Sequence, residues 1–193
     1  MGRIKWKPGT RLYPLPAVMV SCGHSPQDFN IITIAWTGVV NTNPPMVYIS
    51  VRPSRHSFDI LKQTGDFVIN LTTKKLAFAT DWNGVKSGKD FDKAMKTHLT
   101  YGPSTEIESP IILESPINIE CRITQIIPLG THHMFLAEVV AVQADDQFLD
   151  PVTGKFDMKK AELIAYVHGN YYELGDLIGH FGYSVKKKKK KRL

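Results

Sequence analysis

Cysteine is scarce in this chain: two in 193 residues, Cys22 and Cys121, with no CxxC pair and no histidine at ligand spacing. That excludes a disulfide framework and a cysteine-built metal site, and it predicts buried, reduced thiols in apolar, strand-like surroundings. Redox chemistry in such a chain needs a cofactor. Long apolar runs are also missing. Ile31 to Val40 is interrupted by Thr33, Thr37 and Gly38, so nothing reads as a membrane span. The charged stretch Met1–Lys7 has no apolar segment behind it, so no signal peptide is read and a cytoplasmic protein is expected. The GxGxxG fingerprint of a Rossmann site is absent, and there is no internal repeat.

Excess charge of one sign is missing from the body. The formal net charge is +6, but seven of the 24 Lys and Arg lie in Lys186–Arg192, leaving 17 against 18 Asp and Glu. The pI of about 9.2 therefore describes a polybasic tail and not a basic face, which argues against a nucleic-acid-binding body. Residues 186–193 are expected to be a solvated, disordered end, and residues 1–185 a single domain long enough to bury its own core.

What is present is β-rich. Ala17–Cys22 and Asn30–Val39 read as strands around a polar turn, Gly23–Asp28, and Met46–Val51 is apolar on both faces, as a barrel strand is. Ser57–Gln63 fits a short helix with Gly65 beyond its end, and Phe67–Asn70 a strand. Lys74–Trp82 and Asp90–Lys96 read as further short helices. Ile117–Ile127 and His132–Gln143, joined by Pro128-Leu129-Gly130-Thr131, form the clearest hairpin. Leu163–Val167 adds a last strand before a Gly/Tyr-rich segment. The expected fold is mainly β, an antiparallel sheet closing into a barrel to hide its edges, with short flanking helices.

Two kinds of contact meet between Asn30 and Asn70. A strand edge offers backbone groups and small side chains to a flat ring. Arg52-Pro53-Ser54-Arg55-His56-Ser57, at a helix mouth, offers guanidinium, hydroxyl and N–H groups to a phosphate. A phosphorylated flat cofactor needs that combination.

These residues resemble the flavin reductase-like proteins of the FMN-binding split-barrel class, the group that includes flavoredoxin. The resemblance runs from about Pro14 to Gly182. It rests on NIITIAWTGVVNTNPP, ISVRPSRHSFDIL, GDFVINL, SGKDFDK, PIILESPINIECRI and LGTHHMFLAEVVAV in that order. It implies an antiparallel split barrel with flanking helices, working as a homodimer with FMN near the subunit interface. Thr33, Ala35, Trp36, Thr37, Gly38 and Ser50 would face the isoalloxazine ring, with Gly38 allowing close approach. Arg52, Arg55, His56 and Ser57 would cradle the phosphate; Ser57 reads equally as a helix N-cap. Ser87, Gly88 and Lys93 belong to a motif that closes over the pocket, Lys93 meeting either phosphate or a helix carboxylate.

His132 and His133 do not form a metal site, because adjacent strand residues point to opposite faces. The resemblance makes His132 a pocket-edge residue with Glu138 its counterpart, although Thr131 and Ala137 depart from the family's commoner Asp and Gly. His168 is a candidate contact for nicotinamide or substrate. The implied function is an FMN-binding redox protein, either an NAD(P)H-dependent flavin reductase or a flavoredoxin-like electron carrier. NADH or NADPH would be a transient donor, and free flavin or a redox protein the acceptor. No side chain need act as acid or base. The alternative is a non-catalytic flavin-binding module that docks through its tail to an acidic partner.

Overall fold

The computed structural model describes residues 2–186. The tail from Lys187 onward, with the expectation attached to it, lies outside the described residues. In chain order the elements are β1 Leu15–Pro16, β2 Val18–Cys22, β3 Asn30–Ile34, β4 Thr37–Asn41, β5 Met46–Val51, α1 His56–Thr64 and β6 Asp66–Leu71. A 3-10 turn leads into α2 Ala77–Val85. Then come α3 Lys93–Thr97, β7 Tyr101–Gly102, β8 Ile111–Ile112, β9 Ile117–Pro128, β10 His133–Ala144, α4 Met158–Ala161, β11 Ile164–Val167 and β12 Asn170–Glu173. Among the described residues, no helix is long and apolar enough to cross a membrane.

Seven strands form one antiparallel sheet in the order β3-β2-β6-β9-β10-β5-β4. Chain-consecutive β3 and β4 thus occupy its two opposite edges. Only a curled sheet lets two residues, Ala35 and Trp36, carry the chain from one edge to the other. The single strand expected over Asn30–Val39 is therefore broken at a corner. The Trp36 carbonyl accepts from the Ser50 backbone N–H at 2.9 Å, which fixes the corner against β5.

The long β9–β10 hairpin holds the sheet together. Its β9 arm pairs with β6 (Phe67↔Cys121), while its β10 arm pairs with β5 (Phe135↔Ile49). Register shifts at Leu136/Ala137 and Val139/Ala141 mark bulges, which bend the ribbon.

Period-2 alternation sorts the core. Val18, Val20 and Cys22 face a barrel interior filled by Ile49, Phe67, Cys121 and Phe135. Met19 and Ile31 face outward against Leu76, Ala79 and Ala94 of the helical layer. Both cysteines are free and buried, and burial pushes the Cys22 thiol up to about 12, in line with inert thiols. Gly65, at φ 74°, ends α1 by taking the left-handed conformation that a Cβ disfavours.

A small sheet, β1-β11-β12, completes the fold. Its β11–β12 turn places His168 (φ 49°) and Gly169 (φ 90°) in the left-handed region, the signature of a tight hairpin. The end segment read as merely Gly/Tyr-rich is thus a strand with its turn.

Candidate functional site

The corner that splits the barrel also opens a cleft of about 470 Å³. Thr33, Ile34, Ala35 and Trp36 form one wall, Ser50, Val51 and Arg52 the next, and Asp81, Gly84 and Val85 of α2 another. The β11–β12 hairpin contributes Tyr166, Gly169 and Tyr171. A smaller pocket of about 90 Å³ shares Ile32, Arg55 and Gly84 with the cleft. Ser54, His56, Ser57, Asn83, Lys86, Ser87, Gly88 and Lys93 are among its walls. Among the described residues, no carboxylate lines this pocket, while three cations do. Its lining is therefore cationic.

Local sequence explains the cradle. The Arg55 backbone N–H closes a turn onto the Arg52 carbonyl at 3.0 Å, and Arg55 is the extended N-cap residue of α1. No side chain caps this helix; the Phe58 N–H is taken by the Arg55 carbonyl at 2.9 Å, and the helix start, Arg55 to Ser57, lines the smaller pocket. Ser57 is therefore not the N-cap. It lies inside the helix, buried, and its hydroxyl accepts from the Asn30 amide at 2.7 Å. Gly88 is packed so tightly that an added Cβ would fall 2.1 Å from Asn30 Oδ1 and 3.1 Å from His56 Cδ2.

Of its two expected roles, Lys93 does not take the helix ion pair; it lines the smaller pocket. It is buried, and its ammonium donates to the carbonyls of Ile31 (2.6 Å) and Asn83 (2.7 Å). Among the described residues no carboxylate pairs with it. Burial, and then the charge of Arg55, lower it to about 8. Asn83, also buried, has an Oδ1 without a hydrogen-bond partner.

At the cleft rim the Trp36 indole lies over the His132 ring, centroids 4.5 Å apart. Arg52 Nε donates to His132 Nε2 at 3.3 Å, and the Thr131 hydroxyl is 3.0 Å from Nδ1. Burial and the two arginines, Arg52 and Arg55, hold His132 below its ordinary pKa. A neutral imidazole, protonated on Nδ1, satisfies this arrangement.

Of the residues singled out from sequence, the cleft gathers Thr33, Ala35, Trp36, Ser50, Arg52 and Arg55. The smaller pocket gathers Arg55, His56, Ser57, Ser87, Gly88 and Lys93. Thr37 and Gly38 line neither. The Thr37 hydroxyl donates to the Tyr48 carbonyl at 2.6 Å, and Gly38 accommodates the Tyr48 ring, 3.0 Å from where its Cβ would lie. Their place past the corner, on β4, is the reason. Glu138 sits along β10 opposite Met46 and Arg122, away from His132. His168 is in the hairpin turn, its Nδ1 3.5 Å from the Tyr13 hydroxyl, and Gly169 lines the cleft in its place.

Sequence reasoning missed Asp81, Tyr166 and Tyr171, which fold topology alone delivers. The Tyr171 hydroxyl donates to Asp81 at 3.3 Å, and burial, then Asp81, push the phenol up to about 12. Gly84 lies in the last turn of α2, past the helix end expected at Trp82. Its Cβ would lie 3.2 Å from that of Thr33, so the glycine lets α2 approach β3.

A curled antiparallel sheet, split where β3 passes to β4 and holding its cleft at the split, is the split-barrel fold. The chain belongs to the flavin reductase like domain family, whose match covers residues 10–175. It is similar to the flavoredoxin of Methanosarcina acetivorans, with 27% identity, a TM-score of 0.85, and 96% of this chain and 100% of that one covered. The flavoredoxin of Desulfovibrio vulgaris (Miyazaki F) has the same fold, at 24% identity, a TM-score of 0.88, and coverage of 96% and 100%. An uncharacterized protein of Archaeoglobus fulgidus is 29% identical over 139 residues, 72% of this chain and 77% of that protein.

Proposed function

We propose that this chain binds FMN and acts as a redox protein, a flavin reductase or a flavoredoxin-like electron carrier. One observation carries the reading. A cleft wide enough for a flat ring adjoins a smaller pocket whose described lining holds cations and no carboxylate, and Ile32, Arg55 and Gly84 line both. A ring joined by a short chain to a phosphate has that shape and that polarity. FMN supplies, when bound, a ring that takes up and gives out electrons.

The chain's own residues then have distinct tasks. The guanidinium of Arg55, the N–H groups at the start of α1 and the ammonium of Lys93 hold the phosphate. The unpartnered Oδ1 of Asn83 supplies an acceptor for a hydroxyl of the linking chain. Thr33, Ala35 and Trp36 line the ring's side of the cleft, and the Trp36–His132 stack limits access of water at the rim. NADH or NADPH is the proposed transient donor, and free flavin or a redox protein the acceptor. A homodimer is proposed with it, supported by exposed Val39 and Val40 on the edge strand β4.

The test compares two ligands. Arg55→Ala should weaken FMN by about ten- to a hundredfold, the cost of a lost charge-assisted hydrogen bond, while riboflavin, which has no phosphate, is almost unaffected. Equal losses for both ligands would remove the phosphate assignment.

A further inference from the structure

Among the described residues that line the cleft, Asp81 of α2 is the one carboxylate, while its cations, Arg52 and Arg55, come from the turn between β5 and α1. No Lys, Arg or His among the described residues forms an ion pair with Asp81. Its Oδ1 accepts instead from the Tyr171 hydroxyl at 3.3 Å. Tyr171 is itself held in place. It stands opposite Tyr166 across the β11–β12 hairpin, ring centroids 5.8 Å apart, and both tyrosines line the cleft. Burial, and then Asp81, push the phenol up to about 12, so it remains a donor at neutral pH. The carboxylate, which could otherwise turn freely into water, is thereby fixed at the cleft wall.

We propose that Asp81 lowers the redox potential of the ring held in the cleft, and that Tyr171 is the positioning residue that fixes and partly offsets its charge. This rests on FMN binding as proposed above. A ring that takes up two electrons and one proton adds one negative charge to the cleft. A fixed carboxylate on the wall repels that charge, the more so once the ring has displaced water from between them. Arg52 and Arg55 act in the opposite sense, so the single carboxylate is what favours giving electrons up over storing them. The Tyr171 O–H dipole points at the carboxylate and cancels part of its field.

Equilibration of the FMN-loaded protein with a reference dye of known potential tests this. Asp81→Asn removes the charge and keeps an acceptor for the Tyr171 hydroxyl. It should shift the equilibrium about tenfold toward the reduced ring, a rise of about 30 mV for two electrons. Tyr171→Phe should move the potential the other way by a smaller amount, because the carboxylate is no longer offset. The double variant should match Asp81→Asn, since the hydroxyl acts through the carboxylate. A potential that stays put in Asp81→Asn, at wild-type flavin content, overturns the inference and leaves FMN binding standing. Shifts of one sign in both single variants overturn it too, because they report a general disturbance of the cleft. Wild-type protein that takes up no FMN overturns the inference together with the reading beneath it.

Discussion

The ammonium of Lys93 donates to the Ile31 carbonyl at 2.6 Å, tying α3 to the strand that walls the anion pocket. A second bond, to the Asn83 carbonyl, ties both to α2. One buried cation thus joins three elements and faces a pocket without a carboxylate. Lys93→Met should weaken FMN and lower the melting temperature by several degrees, since two buried carbonyls lose a donor at about 1–3 kcal/mol in all. Titration calorimetry and a thermal scan read the two effects.

The same residue gives a pH dependence of definite sign. Burial lowers Lys93 from 10.5 to about 8, so the folded chain loses its proton first. Below pH 8 both states are protonated. Between about 8 and 10.5 only the unfolded chain holds the proton, and the contribution of Lys93 to stability rises with pH across that window. Phosphate binding moves the other way, because the pocket loses a charge. FMN affinity should fall as pH rises through about 8, with a smaller change for riboflavin. A flat FMN profile between pH 7 and 9 would contradict the role of Lys93.

Glu120 makes a contrasting case. Its carboxylate is fully buried and accepts from the backbone N–H groups of Thr105 and Glu106, the Thr105 hydroxyl and the Gln143 amide. Burial raises its pKa, but these bonds outweigh it and the net shift is downward. The stability it contributes is complete above the ordinary carboxylate range and is lost as pH falls through its lowered value. Glu120→Gln should cost about 1–3 kcal/mol at neutral pH, because an amide donor then faces donors. It should also flatten the acid limb of the stability curve, as chemical denaturation across pH would show.

Trp36 is the tryptophan that lines the cleft; Trp6 and Trp82 do not. FMN binding should quench its emission, and Trp36→Phe should remove most of that quenching while leaving the affinity within severalfold. Quenching that persists in the variant would place the ring elsewhere.

The sequence made the β9–β10 hairpin readable because its signals are local: two apolar runs and a Pro/Gly turn, with observed ends within a residue of those expected. The Gly65 stop to α1 was legible for the same reason. The break at Ala35–Trp36 was not. Ile31, Thr33 and Thr37 all favour strand, and the corner arises because the curled sheet needs β4 beside β5. Thr37 and Gly38, expected on the ring side, consequently lie past that break on β4, against Tyr48. Asp81 and Tyr171 lie 90 residues apart and meet only through the fold. That Arg55, His56 and Ser57 share one pocket was legible because the helix mouth that presents them is continuous in sequence.

The central claim is that the joined cleft and anion pocket hold FMN. Its most direct test is the visible spectrum of the purified protein, with chromatographic identification of any chromophore released on denaturation. Flavin absorption and FMN released at close to one per chain are expected, or tight uptake when FMN is added to colourless protein. Protein that is colourless and takes up no added FMN would contradict it.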